Sequence, residues 1–193
     1  MNRRYVLRGL LIIVLAGELG VGLVTIPVGA QGLAPTGQNG QTFSVTARLR
    51  GFQEVPTISS RARGDFQAQV SRDAIQFTLS YQDLEAPTTV AHIHFDQRHV
   101  ATPGNIVAFL CGGGGKPACP PSGTVTGTVT PADIIGPAGQ GIEPGEFREV
   151  VRAVRAGVTY ANVHSEKFPN GEIRGQIRRV EIPPPVEETQ DES

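Results

Sequence analysis

The chain has 193 residues, a formal charge of −1, 24 glycines, 15 prolines, two cysteines and no tryptophan. That is a single-domain length with nothing to suggest a second domain, and the charge leaves no basic surface of the kind nucleic acid needs. The abundance of glycine and proline, with little 3.6-residue periodicity, points instead to short strands joined by turns.

The first thirty residues read as an export signal. Arg3, Arg4 and Arg8 form a basic start, Leu10 to Ile26 is largely apolar, and Val28-Gly29-Ala30 fits a small-residue cleavage site, so the mature chain is expected to begin at Gln31. The competing reading is a membrane anchor, opposed by Glu18 and the glycines that break the apolar run. Arg3-Arg4 also fits a twin-arginine signal, so the general and the twin-arginine export routes both stay open. Cleavage removes three arginines and one glutamate, leaving a net charge of −3. The expected location is secreted, periplasmic or cell-surface, with no membrane-spanning segment in the mature chain.

Residues 31–41 read as a flexible lead, and residues 42–180 as the folded domain. Phe43, Val45, Ala47 and Leu49 alternate with polar residues. So do Phe66, Ala68 and Val70 and, after a turn near Arg72-Asp73, Ile75, Phe77, Leu79 and Tyr81. Thr89 to Phe95, Asn105 to Leu110 and Ser122 to Val129 continue the series. Phe147, Val150, Val151 and Val154 fall at i, i+3, i+4 and i+7 between Pro144 and Gly157, which predicts one short helix. Thr130-Pro131-Ala132-Asp133 predicts a capped single turn. With a hairpin near the C-terminus the count reaches about eight strands, an all-β antiparallel β-sandwich. Residues 181–193 form an acidic, proline-containing tail with too little apolar surface to fold.

That hairpin is the most informative stretch. Tyr160, Asn162 and His164 alternate with Ala161 and Val163; Pro169-Asn170-Gly171 supplies the turn; Glu172, Arg174 and Gln176 alternate with Ile173 and Gly175. A loop from Ser165 to Gly171 puts His164 opposite Glu172, Asn162 opposite Arg174 and Tyr160 opposite Gln176. On another strand, Ala91-His92-Ile93-His94 places two imidazoles on one face. His92, His94 and His164 are therefore candidates for one polar cluster with Glu172. Either the rings ligate a single zinc or copper ion, or they need no cofactor and hydrogen-bond their neighbours to hold strands in register. Cys111 and Cys119 are expected to pair, stapling the loop Gly112 to Ala118. Gly112 to Lys116 is not a phosphate loop, because Pro117 follows the lysine.

Gly51-Phe52-Gln53-Glu54-Val55-Pro56, Ala91-His92-Ile93-His94, Tyr160-Ala161-Asn162-Val163-His164 and Phe168-Pro169-Asn170-Gly171-Glu172-Ile173-Arg174-Gly175-Gln176 closely resemble the chordin-type (CHRD) domain, over about Phe43 to Arg179. The resemblance implies an extracellular sandwich of immunoglobulin-like or superoxide-dismutase-like shape, found in chordin beside growth-factor-binding modules and in many secreted bacterial proteins. The chain departs from the family pattern at Thr57, at Phe95-Asp96 and at Ser165. A superoxide dismutase needs more histidines than the four present, and a blue-copper site needs a free cysteine. No serine-hydrolase motif is present. The expectation is a non-catalytic binding or structural module for an extracellular protein or glycan, with a cluster of His92, His94, Asn162, His164, Glu172, Arg174 and Glu54. The alternative is a mononuclear metalloprotein, or metalloenzyme, on His92, His94 and His164.

Overall fold

The computed structural model describes residues 42–100 and 105–180. The expected signal, lead and acidic tail, and with them the Gln31 terminus, lie outside the described residues.

Alternation builds the first half of the fold. Strand β1 (Phe43–Arg50) pairs along its whole length with β2 (Arg63–Val70), from Phe43↔Val70 to Arg50↔Arg63. β2 turns at residues 71–74 into β3 (Ile75–Gln82), pairing Val70↔Ile75 to Arg63↔Gln82. The turn is closed by Ser71, whose N–H donates to the Ala74 carbonyl at 2.9 Å. β3 in turn pairs with β6 (Gly123–Val129). Their alternate apolar residues, Leu49, Phe66, Val70, Ile75 and Leu79 among them, are all but fully buried in one core. Truncating any of them to alanine would cost about 2–5 kcal/mol.

The second half comprises β4 (Thr88–Phe95), β5 (Ile106–Cys111), β7 (Thr159–Ser165) and β8 (Ile173–Gln176), with β4 between β5 and β7 and β8 beyond β7. Helix α1 (Phe147–Ala156) turns Phe147, Val150, Val151 and Val154 into the core and stops at Gly157, whose φ of 70° suits glycine. The capped turn also forms: Asp133 Oδ2 accepts from the Thr130 N–H at 2.7 Å and from its hydroxyl at 2.9 Å.

The all-β antiparallel architecture is as expected, but its closure is not that of two facing sheets. One continuous path runs β5-β4-β7-β8-β1-β2-β3-β6 and curls into a nearly closed, barrel-like sheet. The join lies at β1. The two-residue β9 (Arg178–Arg179) pairs Thr46↔Arg178 and Val45↔Arg179, in the same register as Arg50↔Arg174 from β8. β8 and β9 therefore act as one strand, interrupted at Ile177, that bridges the two halves. Gly175 permits the close approach, since a Cβ there would sit 2.7 Å from the backbone carbonyl carbon of Arg48. At the far ends of the path, the Ile135 N–H donates to the Val107 carbonyl at 3.0 Å and Lys116 Nζ donates to the Thr128 carbonyl at 3.0 Å. The Cys111–Cys119 disulfide is formed and fastens its loop beside this closure.

Every residue of β7 and β8 is buried, although more than half of them are polar. Ala161, Val163 and Ile173 face the core. Tyr160, Asn162, His164, Arg174 and Gln176 face the other way, and they are covered by chain segments that hydrogen-bond to them. That covered polar face carries the candidate site.

Candidate metal centre

The strand pairing that the cluster depends on is present: β4 and β7 are neighbours, with Val90↔His164, His92↔Asn162 and His94↔Tyr160. His92 and His94 point to one face because they are two residues apart, and His164 lies diagonally across from His92. Ring centroids are 4.8 Å apart for His92 and His164, 5.1 Å for His92 and His94, and 6.3 Å for His94 and His164. One nitrogen of each ring falls within 4.8 Å of the other two. All three side chains are buried.

Hydrogen bonds decide which nitrogens keep a lone pair free to ligate. His164 Nδ1 is 2.9 Å from the Pro169 carbonyl, which only accepts, so Nδ1 carries the proton and Nε2 keeps its lone pair. Asn105 Nδ2 donates to the Phe95 carbonyl at 3.1 Å and to Asp96 Oδ2 at 3.2 Å, which fixes the amide's orientation. Asn105 Oδ1 is then the acceptor for His94 Nδ1 at 2.8 Å. His94 Nε2 is left as a buried lone pair with no partner. His92 Nδ1 stands 3.2 Å from His164 Nε2 and donates to it when no ion intervenes. Two nitrogens bonded at about 2.0–2.1 Å to a tetrahedral ion lie roughly 3.3 Å apart, so this pair already has a ligand spacing. Asn105 and Pro169 are the outer partners that hold two of the rings in the ligating tautomer.

The rings are also neutral, as a metal requires. Burial pushes His92 down to about 3, helped by His164 and His94. Burial pushes His94 down to about 4 against the opposing effect of its bond to Asn105. His164 is lowered by burial too, with the Pro169 carbonyl acting the other way. Phe109 packs edge-on to His92 at 4.7 Å. Tyr160 stacks parallel on His94 at 4.7 Å, and the Arg174 guanidinium sits 4.0 Å from the Tyr160 ring centre.

Around the triad, the predicted register holds for Asn162↔Arg174 and Tyr160↔Gln176. Arg174 donates to the carbonyls of Val100 and Gln97 at 2.9 and 3.4 Å, and Gln176 Nε2 to those of Asp96 and Gly157 at 3.1 and 2.8 Å. These bonds draw the segment after β4 over the polar face. Glu54 reaches the same face from the turn after β1: its Oε1 accepts from Asn162 Nδ2 at 2.6 Å. Burial raises Glu54 to about 8, outweighing the nearby Arg174. His99 is exposed, as its polar surroundings suggest.

Glu172 does not join the histidines. The Glu172 N–H bonds the Val163 carbonyl at 2.8 Å while Val163 is already paired with Ile173, so the chain is one residue out of step at Glu172. A one-residue offset sends a side chain to the opposite face. Its carboxylate accepts there from Ser60 Oγ at 2.7 Å, the Glu85 N–H at 2.9 Å and Ser165 Oγ at 2.5 Å. Ser165 thus faces away from His164, as the strand alternation requires. Asn105, Phe109 and Asp96, by contrast, escaped the sequence reading. Each belongs to a segment whose pattern reports only a strand or a turn.

A family model for the CHRD domain matches residues 45–177. The chain belongs to the CHRD domain family. No curated protein and no solved structure matches it. The CHRD match runs from β1 to Ile177 and so takes in Glu54, the three histidines, Asn162, Arg174 and Gln176. The polar face is part of the CHRD domain itself.

Proposed function

We propose that this CHRD domain is an exported, non-catalytic binding module whose covered polar face holds one zinc or copper ion on His92 Nδ1, His94 Nε2 and His164 Nε2. The observation that carries the reading is His94 Nε2, a buried lone pair without a partner, on a ring that brings one nitrogen within 4.8 Å of a nitrogen of each of the other two. Leaving such an acceptor unpaired costs about 1–3 kcal/mol, and an ion shared with His92 and His164 removes that cost. Three imidazoles without a carboxylate or thiolate suit zinc and copper, and exclude magnesium and calcium on ligand chemistry. The rings are only 4–7% exposed, which favours a holding role over turnover of a substrate. Export is supported by the basic-then-apolar N-terminus and by the disulfide, a bond typical of oxidising compartments. No helix among the described residues is long and apolar enough to cross a membrane.

The His92 to His164 hydrogen bond favours a second reading, in which the triad is a metal-free clasp between β4 and β7. Metal content separates the two. Protein exported and purified without chelators should carry ~1 zinc or copper ion per chain, and His94→Ala protein none. Added metal should raise the melting temperature of the metal-free wild type by about 10 °C at a thousandfold excess over Kd and leave His94→Ala unmoved, with His99→Ala behaving as wild type. A folded wild type that takes up no ion and melts unchanged supports the clasp.

A further inference from the structure

If the triad binds an ion, a charge problem follows. The three histidines bring no negative charge, and the fixed charge deepest in the polar face is the buried cation Arg174. A dication entering such a place needs an anion within reach. Glu172 is on the opposite face, held by Ser60, Ser165 and the Glu85 N–H. Asp96 is half-buried beside Asn105, at the edge of the face. Glu54 is buried within it.

Glu54 is linked to the triad's strands through Asn162. Its Oε1 takes a hydrogen bond from Asn162 Nδ2 at 2.6 Å, and Asn162 sits between His92 on β4 and Arg174 on β8 in register. Gly171 makes room for the carboxyl group: a Cβ there would lie 2.8 Å from Oε1 and 3.0 Å from Oε2. The groups that bear on Glu54 are Arg174 from β8, Tyr160 from β7 and Lys167 from the hairpin loop, the last paired with Glu85. The carboxyl group also has an outlet, since it lines a cavity of about 140 Å³ with Lys167, Phe168, Pro169 and Gly171. Pro169 in that lining is the residue whose carbonyl fixes His164.

Resting on the metal reading above, we infer that Glu54 is the counter-charge of the centre: it is a neutral carboxylic acid in the metal-free protein and gives its proton to solvent when a divalent ion binds. The balance is one ion in and one proton out, with no change of oxidation state. His94 and His164 already present lone pairs, and His92 moves its proton from Nδ1 to Nε2, so the imidazoles release nothing. The raised affinity of Glu54 for its proton fits this role, because burial outweighs Arg174 in favour of the acid form, and a second, divalent charge would tip the balance to the carboxylate.

Calorimetric titration of metal-free protein with zinc chloride at pH 7, in two buffers of different ionisation enthalpy, counts the protons directly. The wild type should release about one proton per ion and Glu54→Gln about none. Equal release from both would place the proton on a metal-bound water and overturn the inference. Binding without release from the wild type would overturn it too, leaving the metal centre intact. No binding by folded wild type would remove the metal centre, and the inference with it. Should Glu54→Gln fail to fold, the wild type alone decides. Its zinc affinity should fall at least tenfold from pH 6.5 to pH 5.5, where His92 and His94 are already neutral and a metal-bound water is already protonated. A flat affinity there would also sink the idea.

Discussion

Glu172→Ala should cost the fold about 3–5 kcal/mol and leave the metal content of the protein that still folds unchanged. The carboxylate is fully buried and accepts from Ser60 Oγ, the Glu85 N–H and Ser165 Oγ, which belong to the β1–β2 connection, the segment after β3 and the end of β7. Removing it leaves the buried Ser165 hydroxyl and the part-buried Ser60 hydroxyl and Glu85 N–H without their acceptor and unties three segments at once, so the loss is a large share of a total stability of roughly 5–15 kcal/mol. Glu172→Gln separates shape from chemistry. The amide fills the same space, but its nitrogen donates where the carboxylate accepts, so one end of the clasp fails and the cost falls to about 1–3 kcal/mol. Denaturant unfolding of both variants, with metal analysis of the folded fraction, provides the measurement. A loss below about 1 kcal/mol for alanine, or the disappearance of metal from folded protein, would show that Glu172 serves the histidines after all.

Glu172 also shows where reading the sequence stops. Strict alternation in Tyr160 to His164 and Ile173 to Gln176 sufficed to give strands, faces and the Asn162↔Arg174 pairing, because a half-apolar strand has only one register that buries its apolar side. The same rule fails one residue earlier. The offset at Glu172 follows Gly171, whose φ of 121° carries the chain out of the turn, and nothing in residue type announces which residue of a turn will absorb the extra step. The sandwich expectation failed for a similar reason. Periodicity tells which face of a strand is apolar and says nothing of which edges meet, and here the continuous β8–β9 register on β1 joins what would otherwise be two sheets. The His-x-His strand and His164 were legible as a pair of polar faces. Asn105 was not, because its role depends on β4 and β5 running side by side, so that its amide meets His94 from the neighbouring strand's start.

Metal-free protein should be most stable near pH 6.5, losing stability steeply on the acid side and gently on the alkaline side. The histidines set the acid limb. His92 and His94 are lowered from 6.5 to about 3 and about 4, and His164 is lowered as well, all chiefly by burial. Below pH 6.5 the unfolded chain binds protons that the native rings refuse, so stability is present above the unfolded pKa and is lost as the pH falls towards the folded values. Glu54 acts in the opposite sense. Its pKa is raised from 4.5 to about 8, so its native proton stabilises the fold below pH 4.5 and that contribution drains away as the pH rises through 8. Between 4.5 and 6.5, unfolding takes up two protons on His92 and His94, with His164 acting in the same sense, and gives one back from Glu54. That net of at least one proton is worth about 1 kcal/mol per pH unit, or roughly 3 kcal/mol over the interval before the His164 contribution. From 6.5 to 8 only Glu54 contributes, with the other sign, for a loss of about 2 kcal/mol. Urea unfolding across pH 4.5–8.5 should show this asymmetric peak. Glu54→Gln should lose the alkaline limb and steepen the acid limb, and His94→Ala should flatten part of the acid limb. A wild-type stability that keeps rising from pH 6.5 to 8 would mean that Glu54 is ionised in the metal-free fold, and that the polar face carries its negative charge before any ion arrives.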